Sequence, residues 1–294
     1  LWLRMLRCRP SPLRWLTLAF FFLGSFPALQ ALKLQNLSVI AAALIALTLF
    51  LLAGDHLVLA GIFLAFSTFK PQFLVVLLVW LGLWTISDWR RRRPLAWSFL
   101  ATMLALILTS EWLAPGWMHS FLNVLRAYRQ YTYGHSLLDV WFTPAWGPLL
   151  AGCLLLLAFV LCWKCRVQQP DSMEFVTATS LFLALTLILI PTLAPHTQLL
   201  LLPGFLLLVG SRAASSISGM RRRLAFAAAW ALLSWSWIGA CGLLLTSIRL
   251  PLSTLLRFWD VPLYTSPLLP LAMCLATASL LLSPSYDHGS QMRR

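Results

Sequence analysis

Lys70 is the residue in this sequence that most needs a physical reason. It stands in Lys70-Pro71-Gln72, between apolar runs at about 57–69 and 73–87. A cation at the centre of a membrane-spanning helix costs at least about 2.5 kcal/mol, so it must be paired, wetted or used. Two readings stand side by side. In one, the lysine snorkels to the interface on its four-carbon stem. In the other, it faces a cavity and binds a phosphate.

Other residues have the chemistry to join it. His196 follows Pro195 and precedes Gln198, in a short stretch between two apolar runs. It can hydrogen-bond locally, contact a substrate or move a proton. Gln35-Asn36 precedes an apolar run, where Asn is an ordinary helix cap. Arg126 and Arg129 occur in a stretch with Trp117, Phe121, Leu122, Leu125 and Tyr128 at spacings near three and four, the pattern of an interfacial amphipathic helix. There they suit anionic lipid headgroups or an anionic substrate. Acids are few in these stretches: Glu111, Asp139 and Asp260. Asp139 is the best placed of the three for a polar site, and no pattern in the sequence assigns a catalytic residue beyond that. No GxSxG, HExxH or P-loop is present. Cys162-Trp163-Lys164-Cys165 has no second pair to complete a zinc site and reads as two reduced thiols. The sequence calls for no metal and no cofactor.

The elements that hold these residues are apolar helices. Of 294 residues, 60% are hydrophobic and only 10% charged, whereas a soluble domain carries about 25% charged residues. That composition excludes a soluble domain. Apolar segments fall at about 13–29, 37–53, 57–69, 73–87, 95–113, 145–163, 173–191, 197–211, 224–246 and 266–282. The expected fold is all-α: a polytopic bundle of nine or ten transmembrane segments in a single domain over 1–294, with an outer loop at 114–144.

The net charge of +14 does not point to nucleic acid. The basic residues cluster between apolar runs: Arg4 to Arg14, Arg90 to Arg93, Lys164 with Arg166, Arg212 with Arg221 to Arg223, and Arg293 with Arg294. If 57–69 and 73–87 are separate crossings, all these clusters and both termini share one side, as cytoplasmic loops do. Lys33, Lys70, Arg126, Arg129, Arg249 and Arg257 are left opposite. If they are one helix kinked at Pro71, the first cluster lands opposite Arg90 to Arg93. The split is therefore preferred. Trp84, Trp89, Trp112, Trp117, Trp141, Trp146, Trp163 and Trp259 lie near segment ends, as in an interfacial aromatic belt.

Several of these stretches, in order, resemble glycosyltransferase family 87. They are Leu34-Gln35-Asn36 before an apolar helix, then Ala60-Gly61, then Lys70-Pro71-Gln72, then the basic turn from Trp89. His135-Ser136-Leu137 echoes an outer-loop element, and Pro195-His196-Thr197-Gln198-Leu199 through Pro203 a later one. The resemblance spans about 25–210; Leu34 stands where the family pattern has Gly. It implies a GT-C-like bundle in a bacterial plasma membrane. The implied activity moves a hexose, typically mannose, from a polyprenyl-phosphate donor on the outer face to a glycan or lipid acceptor. It places Lys70, Gln72, Gln35, Asn36, His196, Gln198 and Ser136 among the substrate-binding residues, to which the charge of Arg126 and Arg129 adds those two. It also places the catalytic carboxylate in an outer loop near the N-terminus, ahead of Pro27. The chain opens on Leu1 with no such loop, so the expectation is that it is the C-terminal part of a longer enzyme. A lipid or solute transporter, and a noncatalytic membrane subunit, are the alternatives.

Two outcomes follow. Cysteines placed in 90–93 or at the termini label from the cytoplasm, and one placed near Tyr131 labels from outside; labelling near Tyr131 from the cytoplasmic side alone would overturn the topology. Purified 1–294, given polyprenyl-phosphate-mannose and a range of acceptors, transfers nothing, because the base is expected elsewhere. Transfer that disappears on Asp139→Asn would make Asp139 that base.

Overall fold

The computed structural model describes residues 26–132, 135–190, 194–210, 244–251 and 267–282, with a few further positions between 12 and 16 and between 223 and 265. The apolar stretches at 13–29 and 224–246 fall largely outside these residues, as do Arg221, Arg222, Arg257, Asp260 and both termini. Among the described residues every regular element is helical. In chain order they are α1 (Phe26–Lys33), α2 (Ser38–Ala53), α3 (Leu57–Phe66), α4 (Val75–Ser87), α5 (Trp89–Leu113), α6 (Trp117–Thr132), α7 (Leu137–Phe142), α8 (Gly147–Cys162), α9 (Met173–Leu189), α10 (Leu202–Gly210) and α11 (Leu268–Leu281). Short 3₁₀ turns occupy Ser67–Phe69, Pro71–Phe73, Trp163–Val167 and Pro195–Leu201.

The stretch from 57 to 87 is two helices running in opposite directions. Asp55 pairs with Arg91 at 3.3 Å, the backbone of Gly61 lies against Leu95, Ser98 and Phe99, and the Thr68 hydroxyl meets Met103 Sδ at 3.3 Å. These contacts set α3 parallel to α5. The next helix, α4, joins α5 through Asp88 and returns antiparallel to both. Close approach of α3 to α5 depends on Gly61, where a Cβ would fall within 2.6 Å of the Leu95 carbonyl. Small residues allow helices without side-chain bulk to come this near.

Helix α9 is the centre, buried from Phe175 to Ile188. It is packed by α4, α8, α10 and α11. Its hydroxyls are absorbed locally: Thr177, Ser180 and Thr186 donate to carbonyls four residues back. Thr179 instead accepts from Trp80 Nε1 at 3.2 Å. Trp80 stacks on Phe182 at 4.9 Å, and Phe182 also meets Phe159 of α8 at 4.8 Å. This aromatic cluster fixes α4, α8 and α9 together.

A second tie closes one end. Arg92 is 3% exposed and donates to the carbonyls of Trp84, Arg166, Val167 and Gln168 and to Ser87 Oγ, at 2.6–3.3 Å. Its guanidinium lies 3.9 Å from the centroid of the Trp84 ring. Those carbonyls end α4 and the Trp163–Val167 turn, where helix geometry leaves acceptors unsatisfied. One side chain therefore holds the α4–α5 hairpin to the α8–α9 connection.

Three sequence expectations change. The run Arg90–Arg93 is the first turn of α5 rather than a connecting loop, so that helix begins six residues earlier than its apolar stretch, with Pro94 inside it. Trp84 is not interfacial. It is 1% exposed, packs its edge on Phe175 at 5.5 Å and donates to Gln168 O at 3.0 Å. The 114–144 loop contains two helices, α6 and α7, instead of one.

Two helical stretches, Trp89–Leu113 and Gly147–Val167, are long and apolar enough to cross a membrane. Along α5, Trp97, Leu100, Leu104 and Leu108 form an exposed apolar stripe; Leu149, Leu156, Leu157 and Val160 do so on α8. Such surfaces need lipid or protein against them.

Replacing Arg92 by Met removes one donor from each of four carbonyls, three of which keep another from Trp84 Nε1 or Ser87 Oγ. Its expected cost is about 3 kcal/mol, since hydrogen bonds to charged groups contribute about 1.5–3 kcal/mol. Arg92→Lys should recover less than half, because an ammonium cannot reproduce the planar fork. Reversible unfolding of detergent-solubilised protein measures both; an unchanged Arg92→Met midpoint would contradict the assignment.

Candidate functional site

The chain reverses at Lys70 for reasons visible in its residues. The Ser67 hydroxyl donates to Phe63 O at 2.8 Å and the Thr68 hydroxyl to Ala65 O at 2.7 Å, occupying carbonyls at the end of α3. Pro71 then offers no N–H, and its ring disfavours a helical Lys70. Lys70 accordingly lies at φ −119°, ψ 74°. Its carbonyl accepts from Phe73 N at 3.0 Å, and α4 starts from the short Pro71–Phe73 turn.

Lys70 is half-buried and turned toward the start of α2. Its Nζ donates to Asn36 Oδ1 at 2.5 Å and to Ser38 Oγ at 2.8 Å, and lies 5.2 Å from the Phe73 ring centroid. Asn36 Oδ1 also accepts from Ser38 N at 3.0 Å and Ser38 Oγ at 2.7 Å, an Asx turn that opens α2. No carboxylate pairs with Lys70 among the described residues. Two neutral oxygens therefore hold an ammonium that has three donors. Burial pushes the Lys70 pKa below the ordinary lysine value, as expected where charge is not compensated.

His196 belongs to the same cluster. The Pro195–Leu201 turn packs on α1 and α2. Burial, and then the nearby Lys70 ammonium, push the imidazole pKa below its usual value, so the ring is neutral at pH 7. Its Nδ1 is buried without a hydrogen-bond partner. A buried polar atom left without a partner costs about 1–3 kcal/mol, and a neutral ring nitrogen can either donate or accept.

The remaining sequence candidates divide. Gln35 is exposed in the turn before α2, at φ 49°, and Gln72 is exposed beside Pro71. Gln198 is buried and already engaged. Arg126 is exposed on α6 with no hydrogen-bond or ion-pair partner among the described residues; the Arg129 side chain lies outside them. Ser136 and Asp139 form a capping box on α7. Asp139 Oδ2 accepts from Ser136 N at 2.7 Å and Ser136 Oγ at 2.8 Å, and Asp139 N donates back to Ser136 Oγ at 3.2 Å. Asp139 also packs on Gly147, where a Cβ would collide with its carboxylate. That explains Asp139 structurally. Ser38 was not singled out from sequence, although its place two residues after Asn36, at the first turn of α2, carried the signal.

The cluster can receive an anion: one under-compensated cation, a neutral imidazole and fixed neutral oxygens. No group of side chains suited to a metal occurs among the described residues.

A sequence model of glycosyltransferase family 87 matches residues 1–192 of the 294. The match takes in Asn36, Ser38, Lys70 and Asp139 and stops short of His196. No curated protein and no solved structure matches the chain. With well over half its length matched and two helical stretches fit to cross a membrane, the chain belongs to glycosyltransferase family 87, a family of membrane-associated sugar transferases.

Proposed function

We propose that this chain is part of a polytopic membrane enzyme that transfers a hexose, mannose by family resemblance, from a polyprenyl-phosphate donor on the outer face. The observation that carries the reading is Lys70: an ammonium held by Asn36 and Ser38 with no acid against it among the described residues. Its depth adds support. Thr68 is level with Met103, ten residues or about 15 Å before α5 ends at Leu113 at 1.5 Å per residue, and Lys70 follows two residues on. Its ammonium is tied to Asn36 and Ser38 at the start of α2.

In glycosyl transfer the bond from the sugar's anomeric carbon to the donor phosphate oxygen breaks. The acceptor hydroxyl oxygen bonds to that carbon, its proton passes to a carboxylate, and the phosphate departs with the bonding pair. Negative charge grows on the leaving phosphate. A fixed cation in a partly dry cavity stabilises it without reorganising at the moment of reaction. Lys70 supplies that charge, and Asn36 and Ser38 orient it. His196 Nδ1 gains its missing partner from a phosphate or sugar oxygen. Gln35, Gln72 and Gln198 border the same region as candidates for sugar hydroxyls. Arg126, Arg129 and Ser136 belong to the connection that meets the acceptor or the headgroups. Asp139 is committed to its helix cap, which leaves the base to be supplied elsewhere.

The charge distribution supports the sidedness. Arg90–Arg93, Lys164 and Arg166 gather at the end tied by Arg92, and Lys70, Asn36 and His196 at the other. With the first end cytoplasmic, the site opens outward.

In an active preparation, Lys70→Met should reduce turnover more than about tenfold, or about 1.4 kcal/mol. Asn36→Ala should weaken turnover less, since Ser38 still orients the ammonium. Unchanged turnover in correctly inserted Lys70→Met protein would leave Lys70 as an interfacial anchor.

A further inference from the structure

The four arginines that open α5 divide by helix geometry. At about 100° per residue, Arg91 and Arg92 turn into the protein. Arg91 pairs with Asp55 at 3.3 Å, and Arg92 gathers the carbonyls beneath Trp84. The acids flanking the hairpin bear on that same pair, Asp55 on Arg91 and Asp88 on Arg92. Arg90 and Arg93 are both exposed. They face the other way, within an arc of about 80° that also takes in Trp97, Leu100, Leu104 and Leu108. Those four apolar side chains are exposed, and only 6% of the most apolar stretch of α5 is buried. From Arg93 to Glu111 is about 27 Å at 1.5 Å per residue, and no charged residue stands between them. The hydrocarbon layer of a bilayer is about 30 Å thick. This face therefore has the length of a bilayer core, with two cations at one edge.

We infer that this face binds an anionic glycerophospholipid of the adjoining leaflet, with its phosphate between Arg90 and Arg93 and an acyl chain along Trp97, Leu100 and Leu104. Helix residues three apart have Cβ atoms about 5–6 Å from each other, so both guanidiniums can reach one phosphate. The planar fork of each matches phosphate oxygens in pairs. The arginine stems cover apolar surface while their heads stay at headgroup level. Trp97 stands one turn further in, where an indole suits the boundary between headgroups and hydrocarbon. A soluble acidic partner would match the arginines and leave the stripe bare. A second copy, related by a two-fold axis along the membrane normal, would cover the stripe and set arginine against arginine. A lipid satisfies both parts of the face. The site lies at the opposite end of the bundle from Lys70 and does not depend on the transferase reading.

The test is photocrosslinking of the 294-residue chain in phosphatidylcholine nanodiscs, followed by peptide mapping. The probe is a trace of phosphatidylglycerol carrying a diazirine in its acyl chain near the glycerol. Label should map to 97–104, and the phosphatidylcholine analogue of the probe should give about tenfold less, equivalent to about 1.4 kcal/mol. Arg90→Gln combined with Arg93→Gln should remove that preference. Each substitution alone should remove part of it, so the reading does not hang on one variant. Arg91→Gln makes the same change in net charge and should leave the preference in place, because Arg91 is turned to Asp55. A loss in Arg91→Gln equal to that in Arg90→Gln would show net charge instead of a site. Equal labelling by the two probes would show ordinary boundary lipid. Crosslinks between two chains along 97–108 in place of lipid would show a protein interface. Any of these three results would overturn the inference.

Discussion

Pro71 has no backbone hydrogen to give, and its ring holds Lys70 out of the helical region. That restriction organises much of the described structure. It divides 57–87 into α3 and α4, which must run in opposite directions because Asp55 is held by Arg91 while Thr68 reaches Met103. Had the helix continued, α4 would run on past the end of α3, and Trp80 and Trp84 could not lie against Phe175 and Phe182 of α9. The reversal also sets Lys70 apart from the basic run at 90–93. A single ring closure thus separates the two ends of the bundle and leaves a cation at the end with few acids.

The ends then treat their buried cations differently. Arg92 is saturated. Five oxygens accept from it and an indole covers one face. Nothing about it invites a ligand, and its planar fork suits a task of gathering carbonyls from two connections. Lys70 has two acceptors for three donors and a buried imidazole nearby with an unmet nitrogen. Unsatisfied buried polar groups are rare enough to call for an explanation. On the proposed reading one oxyanion accepts from both the third Lys70 donor and an Nδ1–H of neutral His196.

What could be read from the sequence follows from the range of the forces involved. The helices were legible because apolar runs carry their own signal, and the break at Lys70 because proline acts on its immediate neighbours. Asn36 and His196 were legible as polar residues beside apolar segments. The start of α5 was not, since four arginines and Pro94 look like a loop; only the tertiary demand for Arg92 beneath Trp84 makes them helical. Trp84 was misread for a related reason. A tryptophan at a segment end has the same pattern whether it faces lipid or a core, and its deciding partner, Gln168, is 84 residues away. Ser38 was overlooked because its role depends on Lys70, 32 residues on. Asp139 shows the opposite case. Ser136 followed three residues later by an acid is a local capping pattern, and that local reading, more than a catalytic one, is what the structure displays.

The capping of Asp139 bears on how the reaction must be arranged. A general base needs to be within about 3 Å of the hydroxyl it deprotonates and free to accept a proton. Asp139 uses Oδ2 for two hydrogen bonds within its own turn and rests its other oxygen against Gly147. Taking a proton would weaken the cap and unseat α7 from α8. The Lys70 cluster contributes no alternative: its titratable neighbour among the described residues, His196, is disfavoured as a cation by burial and then by the Lys70 ammonium beside it. On the proposed reading, the Lys70 cluster serves the departing phosphate and offers no base for the incoming hydroxyl. In a family that moves sugars between a donor and an acceptor, that asymmetry supports the proposed reading of this cluster as the donor side, with the acceptor's base outside the cluster.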